Sequence, residues 1–196
     1  MDENSEMKSV FFAFEASSPW PQDLPEGRYL EENDRHMTIA FLGDIHYPTL
    51  EKILSSFPLP KIKVGLTGKF NRCHFLPRKR PNVVAWHVDL FDKEYDLDLY
   101  QKEVVDWLQN HDLSVRTHKK GFLPHVTICR RPFEYGEWRK AFHPLPVIIQ
   151  NIHLYESLGH LKYKPLWTYQ LKPPFEEIEH TADVAFHVRG ENLQQI

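Results

Sequence analysis

The chain of 196 residues carries a formal net charge of -3 and is 41% hydrophobic. This size suits one substantial domain, alone or with an appendage, and the mild charge does not by itself indicate a nucleic-acid-binding protein. Only two cysteines occur, Cys73 and Cys129, and the first residues are polar, without the apolar run of a signal or membrane segment. We therefore expect reduced thiols, a cytoplasmic location and no membrane contact.

The first half of the chain predicts strands around one amphipathic helix. Residues 1–8 are polar and predict a disordered start, whereas residues 10–14 are apolar and aromatic and predict a buried strand. A second strand is predicted from His36. Apolar side chains then recur at helical spacing from Leu50 to Phe57, which predicts a helix packed on a sheet.

The second half of the chain repeats this rhythm. A second amphipathic helix is predicted after Asp96, which is a favourable capping residue. Another apolar strand is predicted from His125. Further strands are predicted at residues 62–70 and 83–89, before this second helix, and at residues 147–156 and 164–172, after the strand from His125. The alternation of strands with one helix in each half is what a gene duplication with a pseudo-two-fold axis would produce.

The most informative motif is a histidine followed two residues later by a threonine, and it occurs once in each half of the chain. His36 and Thr38 form the first copy, and His125 and Thr127 form the second. Both copies lie in apolar runs, where a polar imidazole is unusual unless it has a structural or functional role. Side chains alternate along a strand, so each copy presents its imidazole and its hydroxyl on one face. A lone strand histidine is more often a packed, hydrogen-bonded residue than a catalyst.

Convergence of the two motifs would create a specific chemical site. Two imidazoles can give and take protons near neutral pH, and two hydroxyls can hydrogen-bond the oxygens of a phosphoryl group. A pseudo-two-fold axis would bring the motifs together although they lie far apart in the chain. The pattern therefore favours acid–base chemistry at phosphorus.

The residues around these motifs resemble those of the two-histidine phosphoesterase superfamily, and more narrowly the LigT-like RNA 2′,3′-cyclic phosphodiesterases, also known as 2′-5′ RNA ligases. The similarity rests on the sequences HMTIAFLG from His36 and GFLPHVTICR from Gly121, with LYES from Leu154 downstream. It implies an α+β fold over residues 9–174: a bilobal, duplicated, pseudo-two-fold fold in which two antiparallel sheets face a central cleft, with helices outside.

The resemblance also implies roles for individual residues. His36 is expected to be the general acid and His125 the general base, while Thr38, Thr127 and Arg130 are expected to bind the phosphate oxygens. The expected product carries a 2′-phosphate, so the departing oxygen is the 3′ oxygen of the ribose. Neither a metal ion nor another cofactor is expected.

Phe41 and Arg130 conflict with simple strand geometry. The resemblance places Phe41 against a base and Arg130 on the phosphate, yet each lies five residues after its histidine. Strict alternation would turn both side chains away from the cleft. Either a β-bulge redirects them or the strand has already ended at these positions. For Arg130 the alternative is a surface salt bridge, and for Phe41 it is core packing.

Two basic stretches are candidates for contacts to the RNA. Residues 72–81 combine basic and aromatic side chains, and residues 116–121 precede the second motif. A solvated loop is the ordinary explanation for such sequences. Near a phosphate site they become candidates for contacts to an RNA backbone or base. The candidates in these two stretches are His74, Arg78, Lys79, Arg80, Lys119 and Lys120.

After Pro173 and Pro174 the chain changes character. Residues 175–196 resemble the opening of archease, a small protein that assists the RNA-splicing ligase RtcB, and Asp183 matches an archease metal position. We expect this segment to be incomplete and without archease activity, because so short a stretch cannot form that fold. The segment predicts a longer natural polypeptide and a functional link to an RtcB-type RNA ligase. The alternative is a coincidental amphipathic tail.

These observations predict a monomeric RNA 2′,3′-cyclic phosphodiesterase whose partner is an RNA ending in a 2′,3′-cyclic phosphate. Two alternatives remain open. One is a phosphodiesterase or ligase that acts on 2′-5′ linked oligonucleotides or on small cyclic nucleotides. The other is a non-catalytic RNA-binding adaptor of an RNA ligation system. The presence of both complete motifs favours catalysis over the adaptor.

Overall fold

The computed structural model describes residues 6–116, 121–179 and 184–190. The strands are β1 (Met7–Ser17), β2 (Arg28–Tyr29), β3 (His36–His46), β4 (Leu66–Leu76), β5 (Val83–Leu90), β6 (His125–Arg130), β7 (Pro146–Ser157), β8 (Tyr163–Tyr169), β9 (Phe175–Ile178) and β10 (Ala185–Val188). The α-helices are α1 (Tyr47–Ile53), α2 (Leu97–Asn110) and α3 (Tyr135–Ala141). Short 3-10 helices lie at Glu32–Asp34 and Leu54–Ser56.

Eight of these strands form one antiparallel sheet that closes on itself. Its order is β1-β3-β6-β5-β4-β7-β8, β7 also pairs with β1, and β2 pairs with β6. Strands β1, β3, β7 and β8 form one well-paired group, called lobe 1 here, and β2, β4, β5 and β6 form lobe 2. The two predicted antiparallel sheets are therefore the two lobes of this circuit, and the α+β prediction is confirmed.

The lobes meet at two short seams. At one seam β4 pairs with β7 from Leu66 to Lys69. At the other seam β3 pairs with β6 through Met37 and Val126. Both of these residues are fully buried. The second seam lies between the two histidine–threonine motifs.

Alternation of side chains gives each lobe a core face and a second face. In lobe 1 the core face carries Phe12, Phe14 and Met37, which belong to the main hydrophobic core together with residues of all three helices. The helices therefore pack on the core faces, opposite the faces that carry the motifs. Helix α2 begins as predicted, because the Asp96 carboxylate accepts a hydrogen bond from the Leu99 backbone N–H at 3.0 Å.

Several element boundaries differ from the sequence prediction. Strand β4 begins at Leu66 and continues to Leu76, so much of the basic stretch predicted as a connector is strand rather than loop. The pairing of β4 with β5 extends to the last residue of β4, which leaves only residues 77–82 for the turn. Helix α3, β2 and the hairpin of β9 and β10 are not predicted from the sequence, since they are short and weakly patterned.

The first and last strands of the described chain can be compared with the predicted domain boundaries. Strand β1 starts at Met7, two residues before the predicted start of the domain. Strands β9 and β10 form a separate two-stranded sheet with exposed apolar side chains. The archease-like aspartate, Asp183, lies outside the described residues, and so do residues 191–196. No helix in the described parts of the chain is long and apolar enough to cross a membrane.

Candidate active site

The seam between β3 and β6 brings the two histidine–threonine motifs side by side. Met37 pairs with Val126 in antiparallel register, so the flanking residues of one strand lie beside the flanking residues of the other in reverse order. His36 is therefore a neighbour of Thr127, and His125 is a neighbour of Thr38. The electrostatic influence of His125 and Arg130 on His36 is consistent with this arrangement.

The two imidazoles are held in the same way. His36 Nδ1 lies 2.7 Å from the Asp34 carbonyl oxygen, and His125 Nδ1 lies 2.6 Å from the Leu123 carbonyl oxygen. A carbonyl oxygen can only accept a hydrogen bond, so Nδ1 must carry the proton in both rings. In a neutral ring Nε2 is then the basic nitrogen. Each motif thus uses the backbone two residues upstream to fix its tautomer.

A β-bulge occurs at the same position in both motifs. In β6, Thr127 pairs with Ala85 and Cys129 pairs with Val84, so Ile128 is an extra residue. In β3, Thr38 pairs with Ala13 and Ala40 pairs with Phe12, so Ile39 is the extra residue. A bulge inserts one residue and reverses the alternation beyond it.

The bulges resolve the conflict that strict alternation poses for Phe41 and Arg130. Each bulge lies between the threonine of a motif and the residue five positions after its histidine, so that residue returns to the motif face. Consistent with this, Phe41 packs against Phe11 of the motif face at 6.1 Å between ring centroids. Arg130 influences the titration of both His36 and Tyr163. Of the two explanations open from the sequence, the bulge is the one found.

His36 lies in an aromatic environment. Its ring centroid is 4.8 Å from that of Phe11, 5.6 Å from that of Tyr155 and 4.9 Å from that of Tyr163. The residue is 8% exposed. Desolvation lowers the pKa of His36 to about 4, and His125 and Arg130 add smaller effects in the same direction. In the free protein His36 is therefore neutral at pH 7.

Tyr163 on β8 is a site residue that the sequence did not reveal. Its ring meets His36 edge-on, and Arg130 lies close enough to lower its pKa against the larger, opposite effect of burial, so Tyr163 lies between residues of both lobes. Asp34 anchors the start of β8, since its carboxylate accepts hydrogen bonds from Tyr163 N at 3.3 Å and Lys162 Nζ at 3.2 Å. Asp34 thus orients His36 through its carbonyl and positions Tyr163 through its side chain.

Arg130 has the features of an anion-binding side chain. Its Nε is buried and has no hydrogen-bond partner among the described residues. A buried donor without a partner costs about 1–3 kcal/mol, and a phosphate oxygen would satisfy it. The guanidinium also offers the planar set of donors that suits phosphate.

The faces beside the two motifs differ in character. On lobe 1, Phe11, Ala13 and Tyr155 form a small buried cluster against which Phe41 and Tyr163 pack. The Arg116 guanidinium lies 5.4 Å from the centroid of Phe41, which is partly exposed. An apolar, aromatic surface of this kind can accept the flat face of a nucleobase.

On lobe 2 the sequence candidates are spread along β4 and its turn. His74 lies in β4 and is half-buried, whereas Arg78, Lys79 and Arg80 are exposed in the turn that follows. His74 on β4 pairs with Ala85 on β5, and Ala85 pairs with Thr127 on β6. His74 is therefore on the motif face, two strands away from Thr127. The candidates Lys119 and Lys120 lie outside the described residues.

Comparison with known proteins finds one curated relative and several solved structures of similar fold. No family model matches the chain. A curated RNA 2′,3′-cyclic phosphodiesterase of Aquifex aeolicus (strain VF5) is 31% identical over 106 residues, which is 53% of this chain and 55% of that protein. The match thus spans about half the length of this curated relative.

Solved structures with the same architecture cover most of the chain. LigT of E. coli complexed with 3′-AMP superposes with a TM-score of 0.59 at 21% identity, covering 85% of this chain and 99% of that chain. A second phosphoesterase structure gives 0.57 at 20% identity with the same coverage. The protein TT0787 of Thermus thermophilus gives 0.54 at 16% identity, covering 84% and 98%. The chain therefore has the fold of the LigT phosphoesterases, as its sequence resemblance predicts.

The burial of His36 predicts a specific pH dependence of stability. The unfolded chain takes up a proton on this histidine near pH 6.5, whereas the folded chain does so only near pH 4. Between these values the unfolded state binds more protons, so acidification destabilises the fold. Replacing His36→Gln should reduce the loss of unfolding free energy between pH 7 and pH 5 by roughly 1–2 kcal/mol, measured by urea denaturation.

The control for this measurement is the exposed His143, replaced by glutamine. The His143→Gln protein should lose the same free energy of unfolding between the two pH values as the parent protein. An equal loss in the parent and in the His36→Gln protein would show that His36 is not desolvated in the folded state.

Proposed function

We propose that the chain hydrolyses an RNA 2′,3′-cyclic phosphate to a 2′-phosphate end, using His36 and His125 as its acid and base and requiring no metal ion. One observation carries this proposal. The two histidine–threonine motifs lie across a single strand pairing, and the Nδ1 atoms of both histidines are bound by backbone carbonyl oxygens. The similarity to a curated RNA 2′,3′-cyclic phosphodiesterase over about half its length supports this substrate class.

The proposed reaction places the cyclic phosphate over the seam. The Thr38 and Thr127 hydroxyls and the Arg130 guanidinium bind the non-bridging oxygens and stabilise the charge that builds on them. The Arg130 Nε, buried and without a described partner, gains one there. The partly exposed ring of Phe41, which packs on the buried Phe11, accepts the terminal base.

The direction of proton transfer is the one that the resemblance implies, with His36 as the acid and His125 as the base. His125 Nε2 takes a proton from the attacking water as the new phosphorus–oxygen bond forms. His36 Nε2 gives a proton to the 3′ oxygen as its bond to phosphorus breaks. The negative charge of the bound phosphate favours the protonated form of His36 and so opposes the desolvation that lowers its pKa in the free protein.

Loss of either imidazole should slow turnover strongly. The His36→Ala and His125→Ala proteins should each hydrolyse an RNA ending in a 2′,3′-cyclic phosphate 10²- to 10⁴-fold more slowly, on the order expected for one acid or base. The measurement is single-turnover hydrolysis with EDTA present, and His143→Ala is the exposed-histidine control. Absence of turnover in the parent protein would reject the proposed function, and turnover of a 2′-5′ linked dinucleotide alone would establish the alternative substrate.

A sulfur substitution separates the acid from the base. A cyclic substrate with sulfur at the 3′ bridging position has a leaving group that needs no proton. His36→Ala should recover most of its rate on this substrate, because only the acid is missing, whereas His125→Ala should stay slow. Recovery by His125→Ala instead would reverse the assignment of the acid and the base.

A further inference from the structure

The motif face of lobe 2 carries a row of basic side chains in register with His125. His125 pairs with His87 on β5, and His87 pairs with Arg72 on β4. Residues directly opposite one another in antiparallel strands share a face. Neighbouring strands are about 4.8 Å apart. His87 is therefore one strand away from His125, and Arg72 is two strands away.

His74 extends the row into a patch. Its ring centroid lies 5.8 Å from that of His87, with the two rings nearly perpendicular. Arg72 and Arg78 both lie close enough to His74 to lower its pKa, after the larger effect of burial. We refer to Arg72, His74 and His87 as the basic face.

The charges around the basic face are nearly all positive or neutral. Burial lowers the pKa of His87, and His74 and Arg72 lower it further, while Asp89 is the carboxylate that opposes them. Asp89 is itself bound by the Lys93 ammonium. The Asn71 side-chain oxygen orients the His87 ring, because it lies 2.8 Å from His87 Nδ1. An anion bound to this patch would reduce the repulsion between its positive groups.

Lobe 1 lacks an equivalent of this patch among its described residues. The residue that pairs with His36 on β1 is Glu15, in the place that His87 holds beside His125. Glu15 is bound by Asn151 at 2.8 Å and lies 3.4 Å from His153. The pseudo-symmetry thus puts an acid beside one catalytic candidate and a basic row beside the other. The motif face is therefore aromatic and acidic on lobe 1 and basic on lobe 2.

We propose that the basic face of Arg72, His74 and His87 is a binding subsite for the phosphodiester that precedes the terminal nucleotide of an RNA. The subsite rests on the proposed function, since it takes the terminal phosphate to lie at His125. With the terminal base on the aromatic surface of lobe 1, the upstream chain leaves across β5 and β4. The exposed Arg78, Lys79 and Arg80 continue the basic path beyond it.

Three substrates test this subsite. They are a nucleoside 2′,3′-cyclic monophosphate, a dinucleotide ending in the same cyclic phosphate, and that dinucleotide with an uncharged methylphosphonate linkage. The parent protein should show about tenfold higher kcat/KM for the charged dinucleotide than for either other substrate, as expected for one charge-assisted contact. Equal values for the charged and uncharged dinucleotides would overturn the proposal.

Variants locate the effect on the basic face. Arg72→Gln should lower the ratio of kcat/KM for the charged over the uncharged dinucleotide about fivefold to tenfold, because Arg72 carries the fixed positive charge of the basic face, where the pKa values of His74 and His87 are lowered. Lys102→Gln, which removes an exposed charge on α2, should leave this ratio unchanged. A ratio that survives Arg72→Gln would place the contact elsewhere and contradict the assignment.

A binding measurement keeps the subsite testable even if turnover fails. Calorimetric titration of the His125→Ala protein with the two dinucleotides compares their affinities without hydrolysis. Tighter binding of the charged dinucleotide, lost in the Arg72→Gln, His125→Ala double variant, would support the subsite even where the proposed hydrolysis is absent. Equal affinities for both dinucleotides would reject the subsite while leaving the proposed hydrolysis to its own assay.

Discussion

The pairing of Met37 with Val126 is the contact on which the candidate site depends. Their side chains are fully buried in the core, and the alternation of each strand then forces the flanking histidines and threonines onto the opposite face. A shift of this pairing by one residue would exchange the two faces. The hydrophobic burial of one residue on each strand therefore fixes the register of the four polar groups.

Two further features complete the geometry of the candidate site. The Asp34 and Leu123 carbonyl oxygens fix the two imidazoles in the same tautomer. The bulges at Ile39 and Ile128 return the fifth residue after each histidine to the motif face. Each device occurs once in each lobe, which is the pattern that a duplicated unit leaves. The lobes differ in what they add: aromatic rings surround His36, and basic side chains extend from His125.

The sequence predicted the parts of this arrangement that depend on local periodicity. The two motifs, the helix after Asp96 and most strands follow from alternation, apolar stripes and a capping residue. The direction of Phe41 and Arg130 did not follow, because a bulge is not visible in hydrophobic periodicity. Their identical offset from the two histidines was the available signal, since a shared departure from alternation is typical of a feature that a duplication copied.

Other parts of the candidate site depend on long-range pairing that no local pattern encodes. Tyr163 reaches His36 only because β8 pairs with β7 and Asp34 anchors its first residue. His87 resembles an ordinary strand histidine in the sequence, and only the three-strand register places it between His125 and Arg72. The lowered pKa of His36 likewise arises from rings on β1, β7 and β8, which the sequence around His36 does not contain.

The position of the proton on each of the two imidazoles can be measured directly. Long-range proton–nitrogen correlation NMR, with the signals assigned through His36→Gln and His125→Gln, reports which ring nitrogen carries the proton. We expect both neutral rings to carry the proton on Nδ1, where a backbone carbonyl oxygen accepts the hydrogen bond, leaving Nε2 as the basic atom. A proton on Nε2 in either neutral ring would contradict the carbonyl-held arrangement and the paired mechanism built on it.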